Sequence, residues 1–156
     1  MRVRLPAILL VLAAVAAPLG AADEPLIGTW KLNLAKSKFT PGPPPKSQTL
    51  HYESSGTNGI KRTNDEVNAK GERIHSVVTY VIDAKEYPVT GSPTVDAVVN
   101  RRKDAYTTER VQKKGRKIVN TLRRIVSKDG KTLTITEEGT DDQGKPFSEI
   151  TIYDKQ

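Results

Sequence analysis

The chain has 156 residues, contains no cysteine and carries a formal net charge of +7. This length suffices for one domain with a substantial core. Without cysteine the chain has no disulfide, no zinc–thiolate site, no thiol nucleophile and no lipid-anchored N-terminal cysteine. The longest basic runs are only Arg101-Arg102-Lys103 and Lys113-Lys114. A nucleic-acid-binding surface concentrates basic residues among aromatic ones, so we expect no nucleic-acid partner.

The first residues have the pattern of a secretory signal peptide. Arg2 and Arg4 precede an apolar run over 5–17, and the small residues Gly20-Ala21-Ala22 follow Pro18. The apolar run is shorter than the roughly 18–20 residues that cross a bilayer. We therefore expect a signal peptide over 1–22, a domain over 23–156 and a periplasmic or extracellular location.

The rest of the chain has the pattern of short strands. Runs rich in Val, Ile, Thr and Tyr are interrupted by Gly, Asn, Asp or Pro at intervals of about 8–12 residues. Short links favour antiparallel pairing of neighbours, and closure leaves no exposed edge. We expect an all-β fold, a single up-and-down antiparallel barrel of about ten strands. The predicted strands are 26–33, 47–54, 59–67, 72–82, 86–90, 95–103, 105–112, 116–127, 131–138 and 146–154.

The segment "SKFTPGPPPKS", residues 37–47, interrupts this pattern with four prolines and a glycine. Proline lacks a backbone N–H and disrupts both helices and strand ladders. We expect a stiff extended loop without helix or ladder. It is either a rim or lid over the barrel mouth or a rigid connector, because proline stiffening by itself explains the composition.

Both ends of the predicted domain resemble the calycins, the superfamily of lipocalins and fatty-acid-binding proteins. "LIGTWKLN" is similar to their opening Gly-x-Trp strand, and "EITIYDKQ" is similar to the last strand of fatty-acid-binding proteins. The resemblance implies that Gly28 permits close strand approach and that Trp30 plugs the closed end of the barrel. In the last strand Tyr153 matches the tyrosine of an Arg-x-Tyr carboxylate clamp, but Thr151 replaces the arginine. The whole domain is most similar to exported bacterial lipocalin-like proteins of unassigned function.

The calycin resemblance also implies a basic residue over the Trp30 ring. Arg123 and Arg124 are the candidates, and strand alternation sends them to opposite faces. We favour Arg124 because Leu122 and Ile118 share its predicted face. A guanidinium over an indole contributes about 0.5–2 kcal/mol.

The predicted barrel interior has room for a ligand, because many strand positions are Thr, Ser, Val or Ala. We predict a monomer that binds a small, largely apolar molecule without catalysis or a cofactor, its polar end held by Tyr and Arg side chains. The alternative is an envelope structural or interaction module with a packed barrel, whose basic outer surface meets anionic lipid or polysaccharide. The candidate ligand-binding residues are Leu50, Tyr52, Val78, Tyr80, Tyr106, Arg124 and Tyr153.

No residue pattern in the sequence indicates an enzyme or a metal site. His51 and His75 are isolated, as surface or structural histidines are. Neighbouring residues on a strand point apart, so neither Glu137-Glu138 nor Asp141-Asp142 forms a catalytic pair. We interpret these four residues as a solvated acidic turn.

Overall fold

The computed structural model describes residues 24–141 and 143–156. The predicted signal peptide, residues 1–22, lies outside them. Within the described residues no helix is long and apolar enough to span a membrane. One 3-10 turn, Leu34–Lys36, accompanies eleven strands. The strands are β1 (Gly28–Leu32), β2 (Lys38–Thr40), β3 (Ser47–Ser55), β4 (Gly59–Val67), β5 (Arg73–Val81), β6 (Glu86–Pro88), β7 (Ala97–Arg102), β8 (Thr107–Lys114), β9 (Lys117–Val126), β10 (Thr132–Thr140) and β11 (Pro146–Lys155).

The strands form one antiparallel sheet in the order β5-β4-β3-β1-β11-β10-β9-β8-β7-β6. β1 pairs with both β3 and β11, so the two ends of the domain are neighbours. The sheet curls until its outer strands, β5 and β6, face each other. A bridge joins Val77 of β5 to Thr90, two residues after β6, and its two N–O distances are both 2.9 Å. This nearly closed barrel confirms the predicted all-β up-and-down fold of about ten strands.

The prediction for residues 37–47 was wrong in one respect. Lys38–Thr40 form the short strand β2, which pairs with Ser148–Ile150 of β11. The first proline of the segment is Pro41, so the residues before it keep the backbone N–H groups that a ladder requires. The proline-rich part, 41–45, contains no strand.

Trp30 lies in the apolar core at one end of the barrel. Its side chain is fully buried, and its indole Nε1 donates a hydrogen bond of 2.8 Å to the carbonyl oxygen of Leu26. The surrounding side chains come from the strand ends at this end of the barrel. They include Tyr52, Ile60, Tyr80, Val126 and Leu133. We call this end of the barrel the packed end.

The cation over Trp30 is Lys155, and the prediction of Arg124 there was wrong. The Lys155 Nζ lies 5.1 Å from the centroid of the indole ring. Gly28 makes room for it, because a Cβ at that position would lie 2.6 Å from the Lys155 Cε. Gly28 also has a φ of +136°, a value that residues with a side chain rarely adopt.

A register shift explains why Ile118 does not share the face of Arg124 and Leu122. Lys113 pairs with Ile118 whereas Gln112 pairs with Asn120, so β9 carries one extra residue, Val119, at this point. An extra residue reverses the inside–outside alternation. Ile118 is 60 % exposed as a result, while Leu122 and Arg124 point into the barrel.

We expect Lys155→Met to lower the free energy of unfolding by about 0.5–1 kcal/mol, the range of an exposed cation–π contact. Urea unfolding followed by the fluorescence of Trp30, the only tryptophan, measures the change. Lys128→Met is the matched control, since Lys128 is an exposed turn residue that forms no cation–π contact among the described residues. Equal effects of the two substitutions would contradict a stabilising role for Lys155.

Candidate ligand site in the barrel cavity

A cavity of about 280 Å³ occupies the end of the barrel opposite the packed end. Its wall is built from the last residues of β4, β8 and β10 and the first residues of β5, β7 and β9, with the loop 89–95 over it. Alternate residues along these strands point inward, and in this half most of them are polar. Polar side chains do not close up into an apolar core, so the space between them stays open. The polar lining residues are Gln48, Arg62, Asn64, Glu66, Ser76, Ser92, Thr94, Arg110, Gln112, Asn120 and Glu137.

Two arginines meet at a single asparagine between the cavity and the packed end. The Oδ1 atom of Asn100 accepts hydrogen bonds of 2.8 Å from both the Arg110 Nε and the Arg124 Nη2. The Arg124 Nη1 donates to the Tyr80 hydroxyl at 3.2 Å, and the Arg110 guanidinium lies 4.9 Å from the centroid of the Tyr80 ring. We call Tyr80, Asn100, Arg110 and Arg124 the arginine cluster.

Among the described residues no carboxylate pairs with the arginine cluster. Arg110 is 2 % exposed and Arg124 is 1 % exposed, yet among the described residues neither has a carboxylate within 4.0 Å. The Arg110 Nη2 and Arg124 Nε atoms are buried without a hydrogen-bond partner. Arg110 also lines the cavity, so the unpaired donor belongs to a buried cation of the cavity wall.

The ionisation of nearby groups reflects this concentration of positive charge. Burial and the charge of Arg124 lower the pKa of the Arg110 guanidinium to about 9. Burial alone would raise the pKa of the Tyr52 hydroxyl, but Arg124, Arg62 and Arg110 together lower it to about 8. The shift of Tyr52 is that expected at a strongly electropositive site, which stabilises a bound anion.

Three carboxylates form a separate acidic group near the same cavity. Glu137 and Glu149 are cross-strand partners on β10 and β11, and Glu66 is on β4. Burial, followed by the charge of Glu149, raises the pKa of the Glu137 carboxyl to about 7. Burial also raises the pKa of Glu66 and of Glu149. Within residues 24–141 and 143–156 no group of acidic or histidine side chains is arranged to hold a metal ion.

Gln48 links the acidic group to the packed end. Its Nε2 donates to Asn64 at 2.8 Å and to Glu66 at 3.3 Å, and its Oε1 accepts a hydrogen bond of 2.5 Å from the Tyr153 hydroxyl. Position 151, where fatty-acid-binding proteins have the clamp arginine, is a buried threonine whose hydroxyl bonds the Ile135 carbonyl at 3.4 Å. The buried guanidinium groups of this barrel come instead from β8 and β9.

The candidate ligand-binding residues lie mostly in the packed half. Tyr106 is different: it is 40 % exposed, because it precedes β8 in a turn where its backbone N–H bonds the Asp104 carboxylate. None of the seven candidates lines the cavity, and a ligand contact by any of them stays a prediction. Six candidates are buried, namely Leu50, Tyr52, Val78, Tyr80, Arg124 and Tyr153.

Sequence reasoning missed the residues that do face the cavity, Arg110 and Glu137 among them. The interpretation of Glu137 as part of a solvated turn was wrong, because β10 continues to Thr140 and Glu137 points inward. Two-residue alternation was the available signal: Arg110 is two residues from the buried Thr108, and Glu137 two from the buried Ile135. Asp142 lies outside the described residues.

Both histidines have the structural contacts expected of isolated histidines. His51 Nδ1 lies 2.9 Å from the Thr29 hydroxyl, and His75 Nδ1 lies 2.6 Å from an Asp65 carboxylate oxygen. Neither residue lines the cavity.

A nearly closed antiparallel barrel that begins with Gly-x-Trp has the calycin-type fold. Solved structures agree: twelve chains match this one, among them the wild-type fluorescent protein UnaG, with a TM-score of 0.56 at 15 % identity. That match covers 85 % of this chain and 98 % of UnaG. At such low identity the likeness shows the fold alone. No protein-family model and no curated protein matches the sequence.

Proposed function

We propose that this protein is an exported, non-catalytic binding protein that holds a small molecule with an anionic group in the barrel cavity. The observation that carries the proposal is that Arg110, a residue of the cavity wall, has a buried Nη2 atom without a hydrogen-bond partner. A buried charge without a partner costs several kcal/mol. An anion accepting from this atom would form a charge-assisted hydrogen bond, which contributes about 1.5–3 kcal/mol.

The size and lining of the cavity define the ligand further. Its volume of about 280 Å³ is near the lower end of ligand pockets and equals about nine waters at ~30 Å³ each. Ile74, Val95 and Val98 supply an apolar side, while most of the lining is polar. These features favour a smaller and more polar ligand than the largely apolar molecule predicted from the sequence. They also favour a binding protein over an envelope module with a packed barrel.

The loops around the cavity end carry positive charge that favours the approach of an anion. The end of the β8–β9 hairpin, residues 113–117, contains four basic residues and one glycine. Lys46 and Lys70 lie in the loops before β3 and after β4, at the same end of the barrel. A basic rim raises the local concentration of anions and their association rate, an effect that added salt weakens.

Native mass spectrometry of the protein purified from its exported fraction tests the proposal. We expect a small molecule bound to the wild type, released on denaturation and absent from Arg110→Met. Arg101→Met is the matched control, because Arg101 is exposed near the end of β7, and it should retain the molecule. An empty wild-type protein that also takes up nothing from a cell extract would contradict a binding function.

A further inference from the structure

The cavity contains opposite charges that do not neutralise one another. Arg62, Arg110, Glu66 and Glu137 all line it. None of the six ion pairs among residues 24–141 and 143–156 joins any of these arginines to any of these carboxylates, so every such N–O distance exceeds 4.0 Å. Both signs of charge therefore lie around a single space, with Arg62 and Glu66 on β4, Arg110 on β8 and Glu137 on β10.

Two unpaired buried atoms of the lining residues call for different partners. The Arg110 Nη2 is a donor without an acceptor. The buried Oδ1 of Asn120, on β9 between the strands of Arg110 and Glu137, is an acceptor without a donor. A ligand that satisfies both atoms must accept a hydrogen bond at one end and donate one at the other.

We propose that the cavity binds a zwitterion, with its anionic group at Arg110 and its ammonium group at Glu137 and the Asn120 Oδ1. This inference rests on the proposed function, which requires only the anionic end. A simple anion would leave Glu137 without a cation and would place a further negative charge beside Glu149. A simple amine would leave the two buried arginines unbalanced.

Straight-chain ω-amino acids from glycine to aminohexanoate test the proposal, because they carry both charges and vary only the distance between them. The matched probes are the alkanoates of equal length, which lack the ammonium group, and the corresponding alkylamines. Calorimetric titration of the ligand-free wild type should give an affinity maximum at one chain length. At that length we expect the amino acid to bind at least about ten-fold more tightly than the alkanoate, as one charge-assisted hydrogen bond predicts.

Two variants assign the ends of the ligand. Glu137→Gln should abolish the preference for the amino acid over the alkanoate and leave alkanoate affinity equal or higher. Arg110→Met should weaken both ligands. Glu138→Gln, at the next position on β10 and exposed, should change neither.

The proton balance of binding gives an independent readout. Burial, together with the charges of Glu149 and Glu66, raises the pKa of Glu137 to about 7, while Arg62 and Arg110 act in the opposite direction. An adjacent ammonium group lowers this pKa, so binding of the amino acid at pH 7 should release protons from Glu137. An alkanoate adds negative charge and should take protons up. Calorimetric titration in buffers of different ionisation enthalpy shows whether binding releases protons or takes them up.

Alkanoates that bind as tightly as the amino acids at every length would overturn the zwitterion while leaving the proposed function intact. Failure of every ω-amino acid to bind up to about 10 mM would also overturn it. In that case the proposed function still depends on the co-purified molecule and its loss in Arg110→Met. If no ω-amino acid binds and no molecule co-purifies with the wild type, the binding function itself is rejected.

Discussion

Arg110→Met is expected to stabilise the ligand-free protein by about 1–4 kcal/mol, the range found when buried ion pairs are replaced by apolar residues of similar volume. Arg110 is almost completely buried, has no carboxylate within 4.0 Å among the described residues, and lies beside the like charge of Arg124. Its removal leaves no buried acceptor without a donor, because Arg124 continues to donate to the Asn100 Oδ1. The methionine side chain can still pack against Tyr80.

Arg124→Met is the matched control and should have the opposite sign. Arg124 donates to both Asn100 and Tyr80. Despite burial, its interactions with Tyr80 and Tyr52 raise the pKa of its guanidinium above the ordinary value. Both hydrogen bonds are buried, and we expect a loss of about 1–3 kcal/mol when they are removed.

Urea unfolding at pH 7, followed by Trp30 fluorescence, measures both arginine variants. If Arg110→Met destabilised the protein as much as Arg124→Met, the two arginines would be equivalent structural residues. The argument that Arg110 is held ready for a ligand would then fail. Stabilisation of the empty protein with loss of the bound molecule is the pattern expected of a binding residue.

Glu137→Gln is expected to stabilise the protein at pH 8 by about 3 kcal/mol and to have almost no effect at pH 4. The pKa of Glu137 is about 7 in the folded state and 4.5 in the reference state. Between these values the folded protein binds more protons than the unfolded chain, so its stability falls as the pH rises through this window. The difference corresponds to about 1.4 kcal/mol per pKa unit. Glutamine stays neutral at every pH, so the variant avoids this loss of stability.

Thermal or urea unfolding of Glu137→Gln from pH 4 to pH 8 tests this dependence. Glu138→Gln is the control, since Glu138 is exposed on the other face of β10 and should leave the pH profile unchanged. A pH-independent effect of Glu137→Gln, or one largest at pH 4, would contradict a buried carboxyl with a raised pKa.

The sequence by itself determined the strands and their sequential pairing. The ten predicted strands overlap the ten strands of the barrel, because two-residue alternation and turn residues such as Asp129-Gly130 are local signals. The Gly-x-Trp pattern placed Trp30 in the core, and alternation separated the buried Arg124 from the exposed Arg123. Each of these inferences needs only neighbouring residues of one strand.

Only the tertiary structure decided which interior residues meet and which half of the barrel is open. The extra residue at Val119 changes the faces of β9, the length of β10 turns Glu137 inward, and the position of β11 brings Lys155 over Trp30. Buried polar groups from different strands then share a cavity according to register and curvature. No single segment encodes these relations, because strand pairing joins residues that are distant in sequence.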